Sequence, residues 1–159
     1  MDGNNRWAKK KGVPVPVGHS AGADVVKPLM YACRDRGIKT LTLFAFSSEN
    51  WQRPVPEVRA LMALLSRYLR REIKELAADG VRIQFIGRRD RLSPRIAKLL
   101  EDSERATSHN TESTLVLALD YGGRWDVSEA AASLARDVAA GRLSADDIDE
   151  TLLSSRMAL

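Results

Sequence analysis

The first twelve residues, MDGNNRWAKKKG, set one carboxylate, Asp2, ahead of Gly3-Asn4-Asn5, then Arg6, Trp7 and three lysines. A carboxylate is a hard oxygen ligand for Mg²⁺. That ion keeps several waters and takes remaining ligands from substrate phosphates. Gly3, Asn4 and Asn5 offer main-chain N–H groups, which at a helix N-terminus form a ready anion site. Arg6 adds a permanent cation that meets phosphate bidentately. These types together point to a metal-chelated phosphate. The plain alternative is that Asp2 caps the following helix, while Lys9, Lys10 and Lys11 form a solvated face.

Two further stretches carry candidate chemistry. In GHSAG, His19 stands at the expected entry to a helix, either donating to a phosphate oxygen or packing structurally. In SSENWQRP (47–54), Trp51 lies in a polar loop between Asn50 and Arg53. It either folds back as a packing residue or closes over a site as a water-excluding lid. Glu49 and Glu57 flank that loop, with solubility and helix capping as their plain reading. No nucleophile motif surrounds the serines. Walker and G-x-G-x-x-G patterns are absent, as are the usual nucleic-acid modules.

The elements that must position these residues read as alternating helix and strand. VPVPV after Gly12 reads as extended, because its prolines disfavour helix. Helical spacing from GHSAG to Arg36 runs through Val25, Val26, Leu29, Met30 and Cys33; Pro28 restricts where that helix starts, and Gly37 is a stop. IKTLTLFAF (38–46) reads as a buried strand. Residues 55–79 give the clearest helix, with Val58, Leu61, Met62, Leu65, Leu69, Ile73 and Leu76 on one face. That stripe suits either a core or a long lipid substrate. VRIQFIG (81–87) is a strand, SPRIAKLLEDSERAT opens on a Ser93 cap and Pro94, and STLVLALDY (113–121) is a second buried strand. Helices at 126–140 and from Ser144 complete the chain. This alternation predicts an α/β fold, a central mostly parallel sheet flanked by helices. Ligands of such sheets sit at the carboxyl ends of strands. The opening, 47–54 and DYGGRWD are therefore expected to be neighbours.

The 159 residues, 44% hydrophobic and 29% charged, suit one domain over 1–159. A net charge of +4 favours anionic partners. The single cysteine, Cys33, excludes an internal disulfide framework and is expected in the core; a reducing, cytoplasmic setting is the simple reading. No apolar run approaches membrane-spanning length.

MDGNNRWAKK…GHSAG, LTLFAFSSENWQRPVPEV and LDYGGRWD, in this order along essentially the whole chain, resemble the cis-prenyltransferase family. The resemblance implies an enzyme that extends an allylic diphosphate, typically farnesyl diphosphate, with isopentenyl diphosphate. Pyrophosphate is released and Mg²⁺ is required. Its product is a long-chain polyprenyl diphosphate such as undecaprenyl diphosphate, which carries cell-wall glycan precursors. It implies a homodimer, a hydrophobic tunnel between sheet and helices, and peripheral membrane contact for product release, with no nucleic acid.

Residue by residue, Asp2 matches the aspartate at the metal, and Gly3, Asn4, Asn5 and Arg6 match the diphosphate-binding turn. Trp7 and His19 match substrate contacts. Ser47, Ser48 and Glu49 match a flexible loop, Asn50 a proton acceptor, and Trp51 and Arg53 further substrate contacts. A carboxamide is a poor base at neutral pH. Asn50 is therefore expected to orient the proton while a diphosphate oxygen receives it. Asn5, Val15 and Asp120 depart from common family residues, and Val15 removes one phosphate cation. The family also carries a strand before Met1 and, after SSRMAL, an R-x-[ST]-G segment with isopentenyl-binding arginines, a second metal carboxylate and much of the dimer interface. Residues 1–159 alone are expected to hold the allylic half of the site, to catalyse no elongation, and to expose a sheet edge.

The competing readings are a non-catalytic partner subunit, against which the retained Asp2-Gly3-Asn4 argues, and a phosphate- or nucleic-acid-binding α/β module, which has no use for the apolar stripe.

Overall fold

A computed structural model describes residues 2–158. Helix α1 (Asn4–Lys11) follows Gly3, whose φ of 86° places it in the left-handed region that favours glycine. Helix α2 is Val15–Asp24 and α3 is Val26–Arg34. The extended reading of VPVPV and the single helix up to Arg36 are thus corrected. Pro14 and Pro16 sit at the cap and first turn of α2, where no N–H is needed. The chain breaks at Val25, and Pro28 lies in the first turn of α3. Val25 and Leu29 face out, whereas Val26 and Met30 are buried, and Cys33 is half-buried rather than core. Gly37, at φ 75°, ends the segment as expected.

Strand β1 is Thr40–Ser47, followed by a 3-10 turn at Ser48–Gln52 and helix α4 (Val55–Ala78). Strand β2 is Val81–Ile86, α5 is Pro94–Thr107, and β3 is Ser113–Tyr121. Helix α6 (Gly123–Ala139) begins three residues before the expected 126, and α7 (Glu150–Ser155) follows a short 3-10 turn.

The sheet has the order β1-β3-β2 with both pairs parallel, as the alternation predicts. Central β3 is almost wholly buried, matching its continuous apolar run. Strand β1 is not the buried strand expected. It lies at a sheet edge among the described residues, and Phe44 is half-exposed on its outer face. Periodicity alone does not distinguish an edge from a centre. The outer edge of β2 is covered instead: Thr107 Oγ1 and Glu104 Oε1 accept from the main-chain N–H groups of Ile83 and Phe85.

Helix α4 lays Val58, Met62, Leu69 and Leu76 into the core against β2, β3 and α5.

Candidate functional site

The first three N–H groups of α1 precede its first internal bond, from Trp7 N–H to Gly3 O at 2.8 Å. They belong to the donors a helix start leaves without an internal partner. Gly3, not Asp2, holds the N-cap position, so the capping alternative for Asp2 falls. The Asp2 carboxylate instead accepts from Gly3 N–H at 2.5 Å and from Arg6 Nη2 at 3.1 Å. Its side chain is 94% exposed.

Helix α2 seats this turn. A Cβ at Gly18 would stand 2.3 Å from Asn4 O, and one at Gly22 would stand 2.5 Å from Asn4 Oδ1. Two glycines one helical turn apart therefore let α1 and α2 touch at Asn4. His19 lies between them, in the middle of α2 rather than at its entry, and turns inward with 13% of its side chain exposed. Its Nε2 is buried without a hydrogen-bond partner among the described residues, 4.0 Å from Glu57 Oε1. Burial pushes the imidazole below its ordinary value; Glu57 opposes this and Arg53 adds to it.

Ser47 and Asn50 form a reciprocal cap on the 3-10 turn, with Ser47 N–H donating to Asn50 Oδ1 at 3.1 Å. That commitment turns the amide nitrogen of Asn50 away from Ser47. Ser48 Oγ donates to Asp120 O at 3.1 Å, tying the turn to the end of β3. Arg53 pairs with Glu57 at 2.9 Å. Trp51 folds back as a packing residue, one of the two readings open in the sequence. It packs edge-on against Phe46, with centroids 5.2 Å apart, beneath the Arg91 guanidinium. Its Nε1 is buried without a partner.

Two cavities meet here. A polar one of about 230 Å³ is bounded by Asp2, Gly3, Asn5, Arg6 and Glu57, together with Asn4, His19 and Arg53. An apolar one of about 130 Å³ runs between α4 and the sheet, past Phe46, Leu61, Leu65 and Leu119 to Tyr68. Asn4, His19 and Arg53 line both cavities, and Asn50 stands with them at the apolar cavity's polar end. The arrangement matches an amphipathic ligand with a polyanionic head and a hydrocarbon tail.

The sequence-derived residues therefore divide. Asp2 to Arg6, His19, Asn50 and Arg53 are brought together. Trp7 is 44% exposed on α1 and lines neither cavity. Ser47, Ser48 and Glu49 build or flank the turn without lining either cavity. Sequence reasoning gave Glu57 only a solubility or capping role, and did not single out Tyr68 or Gly22. The i, i+4 spacing of Gly18 and Gly22 was the available signal for a close helix approach.

Mg²⁺ is the metal that the family resemblance implies. Among the described residues no cluster of three or more His, Cys, Asp or Glu could hold a metal. One exposed carboxylate beside an anion pocket nevertheless suits an ion that takes most ligands from phosphate and water. Asp2 fits that donor set.

The family model described as "Putative undecaprenyl diphosphate synthase" matches residues 1–159. The chain is 50% identical over 153 residues to a (2E,6E)-farnesyl-diphosphate-specific ditrans,polycis-undecaprenyl-diphosphate synthase of Pseudomonas aeruginosa, covering 96% of this chain and 61% of that protein. It is 51% identical to an isoprenyl transferase of Agrobacterium fabrum, covering 99% of this chain and 64% of that protein. Among solved structures, lavandulyl diphosphate synthase from Lavandula x intermedia in complex with dimethylallyl diphosphate superposes with a TM-score of 0.95 at 34% identity. That match covers 99% of this chain and 67% of the other. The chain thus spans less than two thirds of the length of these two curated relatives.

Proposed function

The chain belongs to the prenyltransferase family of undecaprenyl diphosphate synthases, and from that premise we propose that it carries the allylic-substrate half of a cis-prenyl chain-elongating site. Farnesyl diphosphate is the primer, isopentenyl diphosphate the unit added, and a long polyprenyl diphosphate such as undecaprenyl diphosphate the product. The observation that supports this most is the junction of the polar and apolar cavities at Asn4, His19 and Arg53. A diphosphate at the start of α1 would send its hydrocarbon chain along α4.

In each condensation the allylic carbon–oxygen bond breaks, a carbon–carbon bond forms to the isopentenyl unit, one proton leaves, and pyrophosphate is released. The N–H groups at the start of α1, Arg6 and Arg53 would bind the departing diphosphate and stabilise its growing charge. Asp2 would hold Mg²⁺, which when bound supplies Lewis-acid neutralisation of that charge. The buried Nε2 of His19 would donate to a phosphate oxygen, giving that atom the partner it lacks. Asn50, its oxygen held by Ser47, would present its amide N–H and orient the isopentenyl group. A diphosphate oxygen is the better proton acceptor, since a carboxamide is a poor base. Two chains would pair as a homodimer.

The test is radiolabelled isopentenyl incorporation with farnesyl diphosphate and Mg²⁺, on the chain extended to its relatives' full length, beside calorimetric binding of farnesyl diphosphate to the chain itself. Saturable farnesyl diphosphate binding and magnesium-dependent, butanol-soluble product are expected. Farnesyl diphosphate binding no tighter than farnesol would remove the reading.

A further inference from the structure

On the opposite face of α4 lies a groove of about 910 Å³, between α4 and the start of α5. Six arginines line it: Arg59, Arg67, Arg70 and Arg71 from α4, and Arg91 and Arg95 from across the groove. No acidic residue lines it, although the chain contains 21 Asp and Glu. Arg71 pairs with Asp24 and Glu72, and Arg91 with Asp120. No hydrogen bond or ion pair to any described residue engages the side chains of Arg59, Arg67, Arg70 or Arg95. The floor is apolar, formed by Val58, Met62, Leu92 and Ile96.

We propose that this groove docks the protein on the anionic phospholipids of a membrane surface. Arg59 and Arg70 lie eleven residues apart on α4, about 16 Å at the helical rise, longer than one diphosphate. Guanidinium groups meet phosphate bidentately and are weakly hydrated. Val55, one helical turn before Arg59, is 60% exposed, so the basic stripe ends in an apolar tip. A basic face with an apolar residue at its end is the pattern of binding at the headgroup boundary. The groove and the apolar cavity also share a wall. Met62 lines both, and Trp51 at the groove's end packs on Phe46, which lines the inner cavity. The proposal stands independently of prenyl transfer, because vesicle binding needs no substrate.

The experiment is cosedimentation, without substrate, with vesicles of phosphatidylcholine containing phosphatidylglycerol and with phosphatidylcholine alone. Binding to the anionic vesicles only is expected, and it should weaken steeply with salt. The variant Arg59→Gln/Arg67→Gln/Arg70→Gln/Arg95→Gln should bind roughly a thousandfold more weakly. A control, Lys9→Gln/Lys10→Gln/Lys11→Gln, removes charge from α1 and should retain most binding. As a second readout, brominated phosphatidylglycerol should quench Trp51 when Trp7 and Trp125 are replaced by Phe. Equal losses in the two variants, binding indifferent to lipid charge, no binding, or absence of quenching would each overturn the proposal.

Discussion

His19 Nε2 faces Glu57 Oε1 across 4.0 Å, too far for a hydrogen bond, in a pocket that leaves the nitrogen buried and unpartnered. The imidazole is therefore held neutral mainly by burial, with Glu57 opposing and Arg53 assisting. A diphosphate between them would supply negative charge and pull a proton onto the ring. Binding of pyrophosphate near pH 7 is expected to take up a fraction of a proton. Calorimetry in buffers of different ionisation enthalpy reads this directly, and His19→Gln should abolish the uptake. Buffer-independent heats in the unaltered protein would count against the contact.

The same residue sets a stability trend. A histidine whose folded-state value lies below its ordinary 6.5 releases its proton more readily in the folded than in the unfolded chain. Stability from neutral His19 is then present above 6.5 and lost as pH falls through the lower folded-state value. Thermal unfolding between pH 7.5 and 5.5 should show a larger decline for the unaltered protein than for His19→Gln. Parallel declines would place the pH sensitivity elsewhere.

Much of this was legible in the sequence. The parallel order followed from alternating periods, and Asp2 to Arg6 with His19 and Arg53 converge as their types implied. What escaped was tertiary. The apolar run of β1 reads like that of β3, yet among the described residues only β3 has strands on both sides. Polar neighbours left Trp51 open between packing and lid, and nothing local reveals Phe46 and Arg91 around it. Glu57 acquires its place only because α4 brings its first turn back to α2.

Asp2→Ala, in the chain extended to its relatives' length, should lower turnover by several orders of magnitude while leaving farnesyl diphosphate affinity within a few-fold. An interaction that strengthens as charge develops on the leaving group acts on kcat more than on binding. The carboxylate's partners, Gly3 N–H and Arg6, are exposed, so circular dichroism should not change. Near-normal turnover would refute the metal assignment.

Trp51 should report occupancy of the inner cavity, because Phe46 lies between the indole and that space. In a variant carrying Trp7→Phe and Trp125→Phe, saturating farnesyl diphosphate with Mg²⁺ should shift its emission. A constant spectrum would mean that the 3-10 turn does not respond to substrate.

Arg91 holds the fully buried carboxylate of Asp120 through paired hydrogen bonds while its guanidinium covers Trp51. Arg91→Ala strands a buried charge and should cost about 3 kcal/mol, the lower end for breaking such a pair, since Arg91 itself is partly exposed. Adding Asp120→Asn should recover part of that loss, and denaturant titration of the four proteins gives the coupling. Additive effects would show that the pair does not brace the turn.

Gly18→Ala separates packing from the site it supports. The added methyl meets Asn4 O, a backbone atom that cannot rotate away, so α1 must move off α2. Overpacking of this kind costs about 1–3 kcal/mol. The sheet lies elsewhere, in β1, β2 and β3, and its amides should keep their hydrogen-exchange protection. The displaced atoms are those proposed to receive the diphosphate, so pyrophosphate affinity should fall more than global stability. A variant that melted earlier yet bound pyrophosphate normally would show that the anion does not sit at the start of α1.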